Sequence, residues 1–512
     1  MSAKRHSSLL RLSSPRLSNR LRWNALGFVL GWMCIIAALV GLGQRVHLDL
    51  TALVRPRSRA GQAPPPRRVR PPASLVSTLR ALPVAETAAP PLVLTYHDVD
   101  PHPRSPFSIT PVRLQKELLM LRAAGYQPID PSRLLAWLLH GRRLPPRSVL
   151  LTFDDGLASA WRYADPILRN TRFIATSFLI TGHLDSGSYY MTTPEVMHLA
   201  QTGRWTFEAH TSHGHEYIST GPGGAPSAFL VGRRWLSALH RQETYPEFAA
   251  RIRGDTKRAL AWFSAHGLPR PKLFAYPFSA ASSPDRRATR ISARILGRAF
   301  EARFLDDDEG LVTTAAEVRA HLLNRLDVLG TDSLRRFADE VRAATPVTPG
   351  QMELLAGGMW ARGSGSGRIS VAASGITLEP RRSNWLAAAL APTRSVNWGS
   401  YRVAARVFLP DSSDAAGISV PSRPGPAASV SVSPGWFEVH LGADRKAIAE
   451  GRLTMRGNHW LRVVRDGASV VFTIDGTRVA RAPVGSARGG PSLFVDGPPS
   501  SRVEFSQIQV RS

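Results

Sequence analysis

From residue 91 to about 345, short apolar runs alternate with stretches in which apolar residues recur every three or four positions. The runs at 94–99, 148–153, 175–181, 205–209, 273–278, 300–305 and 322–328 are rich in β-branched and aromatic residues and read as buried strands. Helical signals lie between them. Thr110-Pro111 caps and starts a helix with Leu114, Leu118 and Leu121 on one face, stopped by Gly125. Thr193-Pro194-Glu195 opens a second helix, ended by Gly203, and residues 246–266 read as a longer one. Strands alternating with helices predict an α/β architecture with parallel strands, as a sheet or a barrel. Gly-rich residues 211–233 are expected as a long loop over one face.

The pattern changes past about residue 350. Ser, Gly and Val become frequent, and 401–409, 430–441 and 460–464 show period-two alternation. Asp466-Gly467 and Asp475-Gly476 mark hairpin turns flanking 468–474. No helical period appears, which predicts an all-β sandwich over 350–512, a length that carries its own core. Trp398, Trp436 and Trp460 would stack on sugar rings if exposed, but core or edge placement is the weightier expectation.

The N-terminus adds a location. Residues 23–43 carry no charge and are long enough to cross a bilayer. Lys4, Arg5, Arg11, Arg16, Arg20 and Arg22 precede this run, so residues 1–22 are expected as a basic cytoplasmic tail. The expectation is a single-pass membrane protein anchored by 23–43, with its folded domains outside the cytoplasm. Residues 44–90, rich in Pro and Arg, would be an extended tether. A secretory signal peptide is the rival reading, against which stand the length of the run and the lack of a closing small-x-small site.

Net charge is +27, and residues 1–73 hold 13 Lys and Arg against one Asp, so +12 lies in the tail and tether. The remaining +15 is expected to be spread over the folded domains without a basic helix, which argues against nucleic acid as a partner. Basic residues in the tether suit anionic lipids or wall polymers. The only cysteine, Cys34, lies in the apolar run, so the chain has neither an intrachain disulfide nor a cysteine-based metal site.

Candidate chemistry gathers at strand ends. Asp154 and Asp155 close the run 148–153 before Gly156, and His210 and His215 follow the run 205–209. Neighbours on a strand point to opposite faces, so the two carboxylates need different jobs unless a turn brings both into one pocket. One carboxylate with two imidazoles is a three-ligand set for a catalytic divalent metal that leaves a position open for water. The other carboxylate is then free to take a proton from that water. In a parallel barrel both motifs fall at the C-terminal strand ends, where catalytic groups collect. His213, between the two histidines, reads as a loop residue. His97 and Asp98, after the first strand, point to the same mouth and are candidates for lining a substrate groove.

Thr152-Phe153-Asp154-Asp155-Gly156, His210-Thr211 with His215, and Tyr276-Pro277-Phe278 resemble the first three motifs of the NodB-like polysaccharide deacetylases, and 94–99 is similar to that family's first strand. The five-residue step between the histidines is more like the biofilm poly-N-acetylglucosamine deacetylases. The resemblance covers about 91–345 and implies a distorted (β/α) barrel with fewer strands than eight. It implies Asp155, His210 and His215 as metal ligands, usually for zinc, and Asp154 as general base as metal-bound water attacks the acetyl carbonyl. It implies the Phe278 backbone N–H as oxyanion donor, with Pro277 fixing the turn and Tyr276 and Pro277 bordering the substrate. The implied substrate is an acetylated polysaccharide containing N-acetylglucosamine.

The sequence departs from the family pattern in three places. Leu273, Phe274 and Ala275 stand where many relatives carry an arginine that holds the base, and Phe278-Ser279 replaces Tyr-Gly. The late Leu-x-x-His segment that supplies the general acid is missing; His321, the nearest histidine, begins a strand-like run and is at the wrong end. These departures keep open a non-catalytic glycan-binding scaffold as the alternative to a hydrolase. The C-terminal sandwich is loosely similar to jelly-roll domains of the concanavalin A-like class.

Overall fold

The computed structural model describes residues 61–512 apart from 68, 83–88, 225, 307–311, 348, 351–358, 382–383, 393, 410–414, 423–426, 443–446, 454–456 and 500. The tail 1–22, the apolar run 23–43 and the first part of the tether lie outside the described residues. Among the described residues no helix is long and apolar enough to cross a membrane.

Eight parallel strands build the first domain: β1 (Leu92–Tyr96), β2 (Gln127–Pro128), β3 (Ser148–Phe153), β4 (Ala175–Leu179), β5 (Trp205–Ala209), β6 (Leu273–Ala275), β7 (Ala302–Asp306) and β8 (Leu322–Asp327). The sheet runs β1-β8-β7-β6-β5-β4-β3, and β1 also pairs with β3, which closes a seven-stranded barrel; β2 only extends the start of β3. Closure is set by the registers Leu94↔Leu326 on one side of β1 and Leu94↔Leu151 on the other.

Every residue of β1, β3 and β4 is buried, as expected of parallel strands covered on both faces. Alternation then sorts the side chains. Leu94, Tyr96, Leu151 and Phe153 face outward into the core beneath the helices. Val93, Leu150, Phe178, Leu273, Phe304 and Leu323 fill the barrel. Phe178 of β4 and Phe304 of β7 are not on neighbouring strands, yet their rings lie 5.6 Å apart.

The helices begin where their caps specify. Thr110 accepts from the Arg113 N–H ahead of the helix Pro111–Ala123, and Thr192 forms a capping box with Glu195 ahead of Thr193–Gln201. Thr244 and Glu247 do the same for α1 (Tyr245–Ala265). Each cap satisfies backbone donors worth about 1 kcal/mol.

Two expectations are corrected here. The supposed tether contains the helix Ala73–Arg80, which buries Leu75, Val76 and Leu79 in the barrel's outer core. Arg147 fastens it by donating to the Leu79 and Arg80 carbonyls. Nor is the positive charge of the folded part free of a basic helix: α2 (Arg286–Ala299) carries Arg286, Arg287, Arg290, Arg294 and Arg298 and no acid. A charge total taken along the chain conceals a pattern that appears only around a helix.

Residues 360–511 form two packed seven-stranded antiparallel sheets. Their shared core includes Val403, Val430, Val463, Phe472, Val495 and Phe505. The hairpin between Ser469–Ile474 and Thr477–Pro483 turns at Asp475 and Gly476, both at positive φ (48° and 85°), as its sequence requires. Trp398 is buried and donates to the Val347 carbonyl, whereas Trp436 is exposed.

Candidate active site

The inward positions of the strands carry the chemistry. Thr152 and Asp154, Glu208 and His210, Phe304 and Asp306, and Leu323, Arg325 and Asp327 are each two residues apart, so each pair shares the barrel's inner face. At the C-terminal strand ends this places Asp154, His210, Asp306, Arg325 and Asp327 around one mouth. His97, two residues beyond Thr95, joins them.

Asp155 enters the same mouth because the backbone turns. It adopts φ 69° and Gly156 φ 72°, so the second carboxylate folds back over the barrel instead of facing away. Gly156 is required there: a Cβ would approach Leu179 Cδ2 to 2.9 Å in addition to the positive φ. The Asp154 N–H donates to the Tyr96 carbonyl at 3.0 Å and ties the turn to β1.

Asp155, His210 and His215 offer ligand atoms all within 4.8 Å of one another. Asp155 Oδ1 lies 3.5 Å from His210 Nε2 and 3.4 Å from His215 Nε2. That oxygen is buried and has no hydrogen-bond partner among the described residues, an arrangement that a bound cation would explain. His210 Nδ1 lies 2.9 Å from the Ala275 carbonyl, which fixes it as the N–H side and leaves Nε2 free to ligate. Burial, then the neighbouring His210, lowers the His215 pKa to about 4, so the ring is neutral as a ligand must be. The donor set fits a divalent metal.

The loop that carries the two histidines is held from α1. Buried Asp255 accepts from the Ser212 N–H at 3.0 Å and the His213 N–H at 2.8 Å. The His213 ring remains exposed beside Ser212 Oγ, as a loop residue should. Asp255 gave no signal in the sequence, where it is one acid among the polar positions of a long helix.

Asp154 does a different job. Arg325 donates to both of its oxygens, Nη1 to Oδ1 at 2.8 Å and Nη2 to Oδ2 at 2.7 Å. The same guanidinium donates from Nε and Nη2 to Asp306 at 2.9 and 3.0 Å, and it lies over the Phe178 and Phe304 rings. Burial opposes ionising Asp154, but the charge and hydrogen bonds of Arg325, together with the nearby His210 and His97, outweigh it and bring the pKa down to about 2. The arginine missing before the third motif is thus supplied by β8.

His97 Nδ1 lies 3.5 Å from Asp327 Oδ1. Burial lowers the His97 pKa, but Asp327, then Asp155, Asp154 and Asp306, raise it above its ordinary value. The surrounding carboxylates thus favour the imidazolium form of His97 at the mouth. His321 is confirmed at the far end: it precedes β8 and its Nδ1 meets the Glu301 carbonyl.

Two candidates do not reach the mouth. Asp98 follows His97 and faces the other way, where Oδ2 accepts from Ser108 at 2.9 Å. The Tyr276 ring is buried against Phe274 in the outer core. Pro277 is buried in the turn, which carries Phe278 at φ 56° and Ser279 at φ 53°. The Phe278 ring lies 4.4 Å from His215 and stacks 4.4 Å from Tyr217, so an aromatic pair borders the ligand set.

Residues 141–292, which include both carboxylates and both histidines, match the family model for polysaccharide deacetylase. This part of the chain is thus similar to a polysaccharide deacetylase domain. A poly-beta-1,6-N-acetyl-D-glucosamine N-deacetylase of Escherichia coli K12 is 22% identical over 274 residues, covering 50% of this chain and 39% of that protein. The enzyme of the same name from Staphylococcus aureus MRSA252 is 27% identical over 113 residues, 21% of this chain and 39% of the relative. The chain therefore spans about two fifths of the curated relatives it matches. A solved de-N-acetylase from Aggregatibacter actinomycetemcomitans aligns at 18% identity and TM-score 0.43, over 49% of this chain and 98% of that one.

Proposed function

We propose that the deacetylase domain is a metal-dependent hydrolase that removes N-acetyl groups from an extracellular or cell-wall polysaccharide containing N-acetylglucosamine. The observation that carries this reading is the separation of two adjacent carboxylates: Asp155 lies between two imidazoles, while Asp154 is withdrawn onto Arg325.

Asp155, His210 and His215 would hold the metal, and two nitrogens with one oxygen suit zinc. When bound, that cation would polarise the acetyl carbonyl and bring the pKa of water down to about 7, so that even a weakly basic carboxylate can serve. Asp154 accepts the proton of the attacking water at the carboxylate held by Arg325, which keeps it ionised and fixes its direction. The Phe278 backbone N–H, in its left-handed turn, donates to the oxygen that gains charge. His97, whose protonated form the neighbouring Asp327 carboxylate favours, gives a proton to the departing amine. The exposed Phe278 and Tyr217 rings offer the sugar an apolar face. The apolar run 23–43 would anchor the chain, N-terminus inward, with both folded domains outside the cytoplasm.

Acetate release from poly-N-acetylglucosamine oligomers, with metal content measured on the same sample, tests the reading. Chelator-sensitive release at about one zinc per chain is expected. A metal-loaded protein that releases acetate from none of these oligomers would refute it.

A further inference from the structure

On the outer wall of the barrel, α1 and α2 enclose a groove of ≈ 1330 Å³ that no part of the proposed reaction uses. Arg253 and Lys257 rise from the α1 wall, Arg287, Arg290, Arg294 and Arg298 from the α2 wall, and Arg270 stands at one end. Among the described lining residues there is no Asp or Glu. Nor does any of the seven cations form an ion pair among the described residues; the nearby acids are engaged elsewhere, Asp285 with Arg233 and Glu247 with Arg241. Like charges one helical turn apart repel, so such a row is destabilising without a ligand. The floor between the two rows is apolar, made by Leu260, Ala261, Ile291 and Ile295.

We propose that this groove binds a single extended chain of an acidic polysaccharide, its carboxylates taken by the two rows of cations and its sugar rings lying on the apolar floor. Three features select this occupant. The α2 row spans about 16 Å at ~1.5 Å per residue, with arginines three or four positions apart on one face, which suits a linear repeating anion. Guanidinium groups, six of the seven cations, pair carboxylates through two parallel bonds. A slot between two packed helices is too narrow for a nucleic acid duplex. Single-stranded nucleic acid needs bare aromatic platforms, whereas Tyr245, the one aromatic lining residue, is covered by Arg233 and Arg287 at 4.6 and 4.2 Å. A bilayer surface would not enter a concave slot. A deacetylated glucosamine polymer is itself cationic and would be repelled, so the groove holds a polymer different from the proposed product.

The test uses the full chain in neutral detergent, with polygalacturonate as the probe. Arg290, Arg294 and Arg298 are replaced together by Gln, and a charge-matched control replaces exposed Arg368, Arg402 and Arg462 on the sandwich. The groove variant should bind about tenfold or more weakly, with a salt dependence shallower by about two units of log–log slope, while the control stays within about twofold. Equal weakening in both variants would overturn the proposal, since binding would then follow overall charge. Tighter binding of oligothymidylate or of poly(glycerol phosphate) than of polygalacturonate would overturn the choice of occupant.

Discussion

Arg325 and Asp154 face each other through two hydrogen bonds of 2.8 and 2.7 Å in the barrel interior, although 171 residues separate them in the chain. The pair fixes the direction of the Asp154 carboxylate. The guanidinium is fully buried and shared with Asp306, so its removal strips two inward carboxylates of their shared cation.

Arg325→Met should therefore destabilise the domain by about 3–5 kcal/mol, the usual consequence of stranding one side of a buried ion pair. Arg325→Lys keeps the charge but loses the fork; it should fold with a smaller loss and turn over at least about tenfold more slowly. Thermal unfolding and acetate release measured on both variants check this, and an R325M protein as stable as wild type would contradict it.

Zinc should raise the Tm of the wild-type protein, because the cation binds only the folded site. At about a hundredfold excess over Kd the gain is ~2.7 kcal/mol, or on the order of 5 °C. Asp155→Ala should abolish most of that shift; Asp154→Asn should preserve it. The readout is thermal unfolding with and without added zinc.

The Asp327 carboxylate is what most raises the His97 pKa. A proton donor works only while protonated, so activity falls as pH rises through its pKa. Asp327→Asn lowers that pKa and should move the alkaline limb of the kcat profile to lower pH. An unmoved limb would remove His97 from the role of proton donor.

Glu117 is buried between the helix Pro111–Ala123 and the barrel wall, bonded to Tyr96 Oη at 2.9 Å and to Arg113 Nε at 2.7 Å. Burial outweighs the arginine and pushes its pKa up to about 7. The folded state thus holds its proton more tightly than the unfolded chain, whose pKa is near 4.3. The stability this contributes is complete below the unfolded value and is lost as pH rises to about 7 and beyond. Relative to Glu117→Gln, the wild type should lose on the order of 3 kcal/mol between pH 4 and 8. Denaturant melts of both proteins at the two pH values measure it.

Local signals made the motif residues and the hairpins readable. Asp154, Asp155, His210 and His215 each follow an apolar run, and the caps at Thr110 and Thr192 lie beside the helices they start. The partners of these residues were not readable, because barrel closure alone brings them together. Arg325 looks like an interruption in an apolar strand, and only the pairing of β1 with β8 reveals that it, Asp327 and His97 share one mouth. A charged residue at an inward strand position was the one available hint. The arginines of α2 were visible singly, but their meaning depends on α1, more than twenty residues earlier, forming the opposite wall. Asp98 and Tyr276 misled for the converse reason: being adjacent in sequence to mouth residues, they face the other way.

The central claim is that Asp154 and Asp155 divide base and ligand between them. Acetate release from poly-N-acetylglucosamine oligomers by the wild-type full chain and by Asp154→Asn, with bound zinc quantified on the same samples, tests it most directly. The account predicts equal zinc and a rate at least about a thousandfold lower in the variant. A variant that retains both its zinc and the wild-type rate would contradict it.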